Sequence, residues 1–129
     1  MAALPVRYMH LEELSQRLRE PETAGSTQVI DVRDSDFGGG CVAGAWHEPS
    51  EQWSSEAYVA QLAQRLVHAQ RTSVVLHCMY SQQRGPACAA RLARVAGDSG
   101  LQISVLSGGW MAWRRAYGDD TELTTPLDT

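Results

Sequence analysis

The sequence has no surplus of positive charge. Eleven Lys and Arg stand against 15 Asp and Glu, for a formal net charge of -4 and an isoelectric point near 5.5. Binding along a phosphate backbone needs a concentrated positive face, so nucleic acid is not the expected partner, although one local positive site remains open. Long apolar runs are missing as well. Nothing approaches the roughly 20 residues of a membrane-spanning helix, and Met1 to Tyr8 lacks the basic-then-apolar build of a signal peptide. The expectation is a soluble protein of the cytoplasm or nucleus with no membrane partner. Cysteine is scarce: Cys41, Cys78 and Cys88 are an odd number with no CxxC pair. That argues against a disulfide framework and a structural zinc site, and no bound metal or cofactor is expected. In a reducing compartment at least one thiol is then free to react. Internal repeats and low-complexity linkers are also absent. The 129 residues suit one domain over 1–129, with its core from about 6 to 117 and residues 118–129 expected to form a frayed tail.

What is present alternates between strand and helix signals. Val6 to Met9 has the character of a short strand, and Leu11 to Arg19 of a helix with Leu11, Leu14 and Leu18 on one face. Pro21 and Gly25 are expected to break that helix. Val29-Ile30-Asp31-Val32 is a short apolar run of the kind buried on both faces of a sheet, and a glycine-rich loop from Arg33 to Gly40 follows it. Gly44-Ala45 closes another short extended segment. A second helix is predicted from about Ser55 to Ala69, with Tyr58, Leu62, Leu66 and Ala69 as its apolar stripe. Ser73-Val74-Val75-Leu76-His77 is the strongest strand signal, rich in β-branched residues. A polar loop then leads to a helix from Pro86 to Val95, with proline near its first position. Ile103 to Leu106 is a last buried strand, Gly108-Gly109 a turn, and Trp110 to Tyr117 a terminal helix closed by Gly118. This alternation predicts an α/β fold with a mostly parallel central sheet and helices on both faces. Ligands of such folds sit at the carboxyl ends of the strands, where His77-Cys78 falls.

The segment His77-Cys78-Met79-Tyr80-Ser81-Gln82-Gln83-Arg84-Gly85-Pro86 carries the chemistry. A buried strand delivers a cysteine to its tip, and a helix restarts shortly afterwards. Successive backbone N–H groups in such a loop can converge on one point and bind an anion. The helix start adds roughly half a positive charge, and Arg84 supplies a planar fork suited to two oxygens of a tetrahedral anion. These surroundings favour a thiolate at Cys78, since cysteines so placed ionise well below the usual value of about 8.5. The same donors stabilise charge that develops as the sulfur attacks. A lone cysteine at a strand end is more often a small buried hydrophobe. The arginine and the Gly-Pro helix start tip the balance the other way. Cys78 is the predicted nucleophile and Arg84 its catalytic partner, with Met79, Tyr80, Ser81, Gln82 and Gln83 completing an oxyanion-binding loop. His77 is expected to hydrogen-bond the loop and orient the cysteine rather than act as a base. Ser81 has two equal roles open to it, a hydrogen bond to the thiolate or one to the loop backbone.

His-Cys, five residues and then Arg resembles the signature of cysteine-dependent phosphatases. Three flanking motifs resemble the rhodanese-like superfamily. Ile30-Asp31-Val32-Arg33-Asp34 is similar to its Asp-Val-Arg run. Gly40-Cys41-Val42-Ala43-Gly44-Ala45 is similar to Gly-His-Ile-x-Gly-Ala, with Cys41 in the histidine's place. Leu106-Ser107-Gly108-Gly109-Trp110-x-x-Trp113 is similar to the closing Leu-x-Gly-Gly-x-x-x-Trp. Four motifs in the expected order, over roughly residues 6 to 117, imply a single rhodanese-like domain in which Asp31 and Arg33 support the site. Sulfurtransferase members typically have a shorter loop between cysteine and arginine. The loop here resembles that of the cell-division-cycle dual-specificity phosphatases and the related eukaryotic arsenate reductases. Arg84-Gly85-Pro86-x-Cys88-Ala89-x-Arg91-Leu92 is especially similar to the small stand-alone plant and algal members.

Three departures from that pattern matter. Gln83 stands where the cell-cycle phosphatases carry a glutamate, and Val32 where they carry a second cysteine; nothing after Tyr117 is a Cys or His, so the plant zinc-binding tail is missing. Expelling an alkoxide benefits from a proton donor, whereas arsenate exchanges its oxygens readily; a donor here would have to be Asp34, Asp36 or Glu48 from a neighbouring loop. Cys88 is expected to pack in the core, and Trp110 and Trp113 likewise. Cys41 is a candidate resolving thiol if it approaches Cys78. The resemblance implies a thiol-dependent arsenate reductase. Arsenate would bind at Cys78, glutathione would act as external reductant, and glutaredoxin would complete the reduction. The alternatives are a phosphotyrosine or dual-specificity phosphatase working through a cysteinyl phosphate, and a sulfurtransferase or non-catalytic rhodanese module that binds a partner.

Overall fold

In the computed structural model, which describes residues 4–127, the chain runs through β1 (Val6–Met9), α1 (Leu11–Arg19), α2 (Pro21–Ala24), β2 (Thr27–Asp31), β3 (Cys41–Val42) and β4 (Trp46–His47). A short 3-10 turn (Ser50–Gln52) follows, then α3 (Glu56–His68), β5 (Ser73–His77), α4 (Arg84–Ala96), β6 (Gln102–Leu106), α5 (Gly109–Tyr117) and β7 (Thr124–Thr125). Five strands form one sheet in the order β1-β6-β5-β2-β4, every neighbouring pair parallel. β5 lies at the centre, buried along its whole length, with Val74 opposite Gln28 and Ile103.

Alternation along the central strands splits the core in two. Ile30, Val74, Leu76, Ile103 and Val105 face α3 and α4, where Val59, Leu62, Leu66, Ala89, Leu92 and Ala93 meet them. Val29, Val75 and Leu106 face the other side, against Leu14 of α1 and Trp110 and Trp113 of α5. This is the α/β architecture with helices on both faces, and the Cys78 loop begins where β5 emerges at the carboxyl end of the sheet.

Several elements differ in detail from the sequence expectation. Pro21 opens a second short helix, α2, sitting at its first position, where no N–H is needed. The buried stripe of α3 is Val59, Leu62, Ala63 and Leu66, so Tyr58 and Ala69 lie at its rim. α4 starts at Arg84 itself, placing the arginine inside the first helical turn.

The largest correction concerns residues 118–129. Leu123 and Thr124 are buried, and Thr124–Thr125 pair antiparallel with Cys41–Val42. The indole N–H of Trp113 donates to Thr124 Oγ1 at 3.0 Å, and Arg19 reaches Asp120 and Glu122. Partners far away in sequence therefore hold this segment, a tie that its own polar composition does not reveal. Residues 128 and 129 lie outside the described part.

Candidate active site

β5 ends at His77, and Cys78 begins a tight loop that returns into α4. Cys78 is 3% exposed, and the Gly85 N–H, in the first turn of α4, donates to its Sγ at 3.3 Å. The first helical N–H groups have no carbonyl partner of their own, so a helix start delivers donors to whatever faces it. Pro86 brings no N–H, and Ala87 already donates to Gln83 O. A pocket of about 140 Å³ opens beside the sulfur, lined by Cys78, Tyr80, Gln82, Gln83 and Arg84. A larger groove of about 550 Å³ between α3 and α4, with Trp53, Glu56, Arg91 and Arg94 on its walls, has no cysteine in its lining.

The start of α5 sets how the loop backbone points. Trp110 N–H donates to Cys78 O at 2.9 Å, and Met111 N–H to Met79 O at 3.0 Å. In a trans peptide the N–H lies opposite the C=O, so anchoring these two carbonyls on α5 turns the amides of Met79 and Tyr80 away from it. The Gly108-Gly109 pair permits this approach. Gly109 has φ +63°, and a Cβ there would lie 2.6 Å from Cys78 O and 2.7 Å from Met79 O. Gly109→Ala is accordingly expected to destabilise the fold by about 1–3 kcal/mol and to weaken oxyanion binding, although Gly109 does not line the pocket. Denaturation and phosphate titration of the variant would check this, and wild-type values in both would mean that α5 does not set the loop.

His77 is fully buried, and its Nδ1 lies 3.1 Å from Cys78 O, the carbonyl already held by Trp110. Burial holds the imidazole below its ordinary pKa, outweighing the opposite pull of Asp31. The ring therefore remains neutral, with Nδ1 against the Cys78 carbonyl. Its Nε2 has no hydrogen-bond partner among the described residues and lies 3.7 Å from Asp31 Oδ2. Ser81 Oγ is likewise unpartnered there, and Ser81 takes φ +58°, a left-handed conformation in which a serine is strained.

Asp31 and Arg33 lie beneath the site as a fully buried ion pair. Arg33 Nη2 reaches Asp31 Oδ2 at 2.7 Å, and its Nε reaches both carboxylate oxygens at 3.0 Å. Arg33 also donates to Gly38 O and Gly40 O and lies between the rings of Phe37 and Trp110, 4.9 and 4.8 Å from their centroids. It thereby shapes the whole loop from Arg33 to Gly40.

That loop delivers two carboxylates to Arg84. Asp36 engages the guanidinium end-on, with Nη1 to Oδ1 at 2.8 Å and Nη2 to Oδ2 at 2.7 Å, while Nη1 also donates to Asp34 Oδ2 at 3.3 Å. Both acids are fixed by further bonds. Ser50 Oγ and the Glu51 N–H donate to Asp34, and the Asp34 N–H donates to Asp36. A guanidinium has five N–H donors. Among the described residues three are occupied, leaving the side-on fork of Nε and Nη2 for a ligand. The bonds from Arg84 outweigh burial and bring the Asp36 carboxyl down to about 2. At Asp34 burial works upward, but the bonds from Ser50, Glu51 and Arg84 together hold it below its ordinary value. Both are ionised at neutral pH and are poor proton donors as they stand. Glu48, the third candidate donor, is hydrogen-bonded to Tyr58 and paired with Arg65 at 3.2 Å.

The remaining thiols separate. Cys88 is buried in the same cluster as Cys78, one turn beyond Gly85, and burial together with the charge of Cys78 pushes its thiol up to about 12. Cys41 pairs with Thr125 in the small second sheet, and burial, reinforced by the charge of Asp31, raises its thiol too. The role of Asp34 and Asp36 as partners of Arg84 was not apparent from the sequence, because it depends on the turn that Arg33 imposes between them and β2. Among the described residues no group of three or more His, Cys, Asp or Glu could hold a metal, and no helix is long and apolar enough to cross a membrane.

A buried cysteine at the tip of a central parallel strand, facing a helix start and an arginine, defines a class of cysteine-dependent α/β enzymes. Residues 10–116 match the Rhodanese-like domain, and the chain belongs to that family. It is 36% identical to the Saccharomyces cerevisiae protein named CDC25-like phosphatase YCH1, over 92% of this chain and 88% of the yeast one. It is 32% identical to arsenate reductase 2.2 of Oryza sativa subsp. japonica, over 84% of this chain and 82% of the rice one. The solved structure of the As-Sb reductase from Leishmania major superposes with a TM-score of 0.82 at 32% identity, covering 90% of this chain and 81% of that one. Relatives at this similarity carry the names of phosphatases and arsenate reductases, and the chain is an enzyme of that family.

Proposed function

We propose that this protein is a thiol-dependent arsenate reductase. The observation that carries the proposal is the pairing of Cys78 Sγ with the Gly85 N–H beside the unoccupied side-on fork of Arg84, in a pocket whose nearest carboxylates are both ionised. Arsenate brings its own hydroxyl protons. When the Cys78 thiolate attacks dihydrogen arsenate, an S–As bond forms, one As–O bond breaks, and the departing oxygen leaves as water with the anion's own two protons. No acid from the protein is needed for that step. Glutathione then displaces the arsenic from Cys78, and a second thiol, from glutaredoxin, attacks the glutathione sulfur. Overall two thiols become one disulfide, two electrons pass to arsenic, and arsenate becomes arsenite and water.

The phosphatase alternative is favoured by the identity to the yeast CDC25-like phosphatase. It uses the same first attack, with a phosphoryl group on Cys78 and an alcohol or phenol departing. Leaving groups that need protonation, such as serine or threonine alkoxides, are disfavoured by Gln83 and by the ionised Asp34 and Asp36, whereas phenolates are tolerated. Gln83→Glu, beside the pocket, is expected to raise turnover of alkyl phosphates, whose leaving group needs the proton, by about tenfold, read as kcat/KM. An unchanged rate would mean that a proton reaches the leaving group from elsewhere. Assays of one preparation with arsenate plus glutathione and glutaredoxin, with an aryl phosphate, and with thiosulfate plus cyanide separate the readings. Aryl phosphate turnover without arsenate reduction would overturn the reductase proposal. Turnover of thiosulfate alone would favour the sulfurtransferase.

A further inference from the structure

We propose that Asp34 and Asp36 make the pocket selective for tetrahedral oxyanions bound as protonated monoanions, by neutralising Arg84 while leaving its side-on fork free. This rests on the oxyanion pocket proposed above and specifies the ionisation state of the substrate it takes. An isolated arginine in such a pocket would favour the more highly charged anion. Here one guanidinium faces two carboxylates, so the cluster beside the pocket carries a net negative charge.

Exposed Arg–Asp pairs often form and dissolve at little cost. These carboxylates are held independently of Arg84, by Ser50, the Glu51 amide and the Asp34 amide, and so remain beside it when a ligand arrives. Attraction for an anion must then come from directed donors: the fork, the loop amides and the α4 start, which bind by geometry rather than by net charge. A second negative charge on the ligand gains little from the half-neutralised guanidinium, and it is repelled by two acids one guanidinium away. The other ionisable groups around this cluster do not offset that repulsion. His77 is neutral, Glu48 is paired with Arg65, Glu51 is exposed, and Arg91 lies two turns along α4 from Arg84.

The test is calorimetric titration of inorganic phosphate into Cys78→Ser protein, in which no thiolate contributes, at about pH 6 and about pH 8, on either side of phosphate's second ionisation. Sulfate, a dianion at both, reports any titration of the protein itself. Phosphate is expected to bind about fivefold or more weakly at the higher pH, with sulfate unchanged between the two. Adding Asp36→Asn, which keeps the shape and one acceptor for Arg84, is expected to strengthen phosphate at the higher pH and sulfate at both by about fivefold, and to flatten the phosphate pH dependence. Asp34→Asn should act in the same direction. Phosphate affinity that rises with pH in the Cys78→Ser protein would overturn the proposal, as would an Asp36→Asn change that weakens phosphate equally at both pH values. Failure to bind either anion at either pH would instead remove the oxyanion pocket, and this inference with it.

Discussion

Cys78→Ser is expected to lower turnover by on the order of a thousandfold or more, with every substrate that the wild-type protein accepts, while leaving the fold and anion affinity nearly intact. The substitution is close to isosteric, and the serine Oγ can still accept the Gly85 N–H that now reaches Sγ at 3.3 Å. What it loses is nucleophilicity. Sulfur is intrinsically the stronger nucleophile, whereas a serine hydroxyl needs a base to attack. The group nearest in sequence that could serve, His77, is buried with its Nδ1 directed at a carbonyl. Steady-state rates together with phosphate titration separate the two effects. Substantial activity surviving the substitution would remove Cys78 from the mechanism.

The largest effect on stability is expected at Arg33. Both members of the Asp31–Arg33 pair are completely buried. Such a pair contributes little net stability while intact, because desolvation offsets attraction. Removing one partner, however, strands a buried charge and costs about 3–5 kcal/mol. Arg33→Met should reach that range, a large part of the roughly 5–15 kcal/mol that a domain of this kind possesses. It also leaves the carbonyls of Gly38 and Gly40 without their donor. Adding Asp31→Asn should restore part of the loss, because no charge then remains buried. Urea midpoints of the two single variants and the double variant measure this coupling. A loss below about 1 kcal/mol for Arg33→Met would show that the pair is not the anchor of this loop. Activity should fall with stability, since the 33–40 loop carries the carboxylates that orient Arg84.

Much of this protein could be derived from local signals. The run Ser73–Leu76, with β-branched Val74 and Val75 at its middle, and the helical spacing of Leu62 and Leu66 give the central strand and the helix against it, because burial on a sheet or a helix imposes its period on neighbouring residues. The glycine pair before Trp110 marks a tight turn, and the structure adds its reason, the approach of that turn to the Cys78 and Met79 carbonyls. Local signals misled where a partner was distant. The segment after Gly118 is polar enough to suggest fraying, yet Trp113, Arg19 and β3 hold it. Asp34 and Asp36 could be taken for proton donors until Arg84 was found between them.

By itself, then, the order of residues determined the alternating α/β build, the cysteine at the end of a buried strand and an arginine just ahead of the following helix, because each depends on neighbours a few positions away. The tertiary structure alone decided the charge state around that arginine, the anchoring of the loop carbonyls on α5 and the burial of Leu123 and Thr124. Those features are sums over groups that only folding brings within a few ångströms, and hydrogen bonds and desolvation act only at that range.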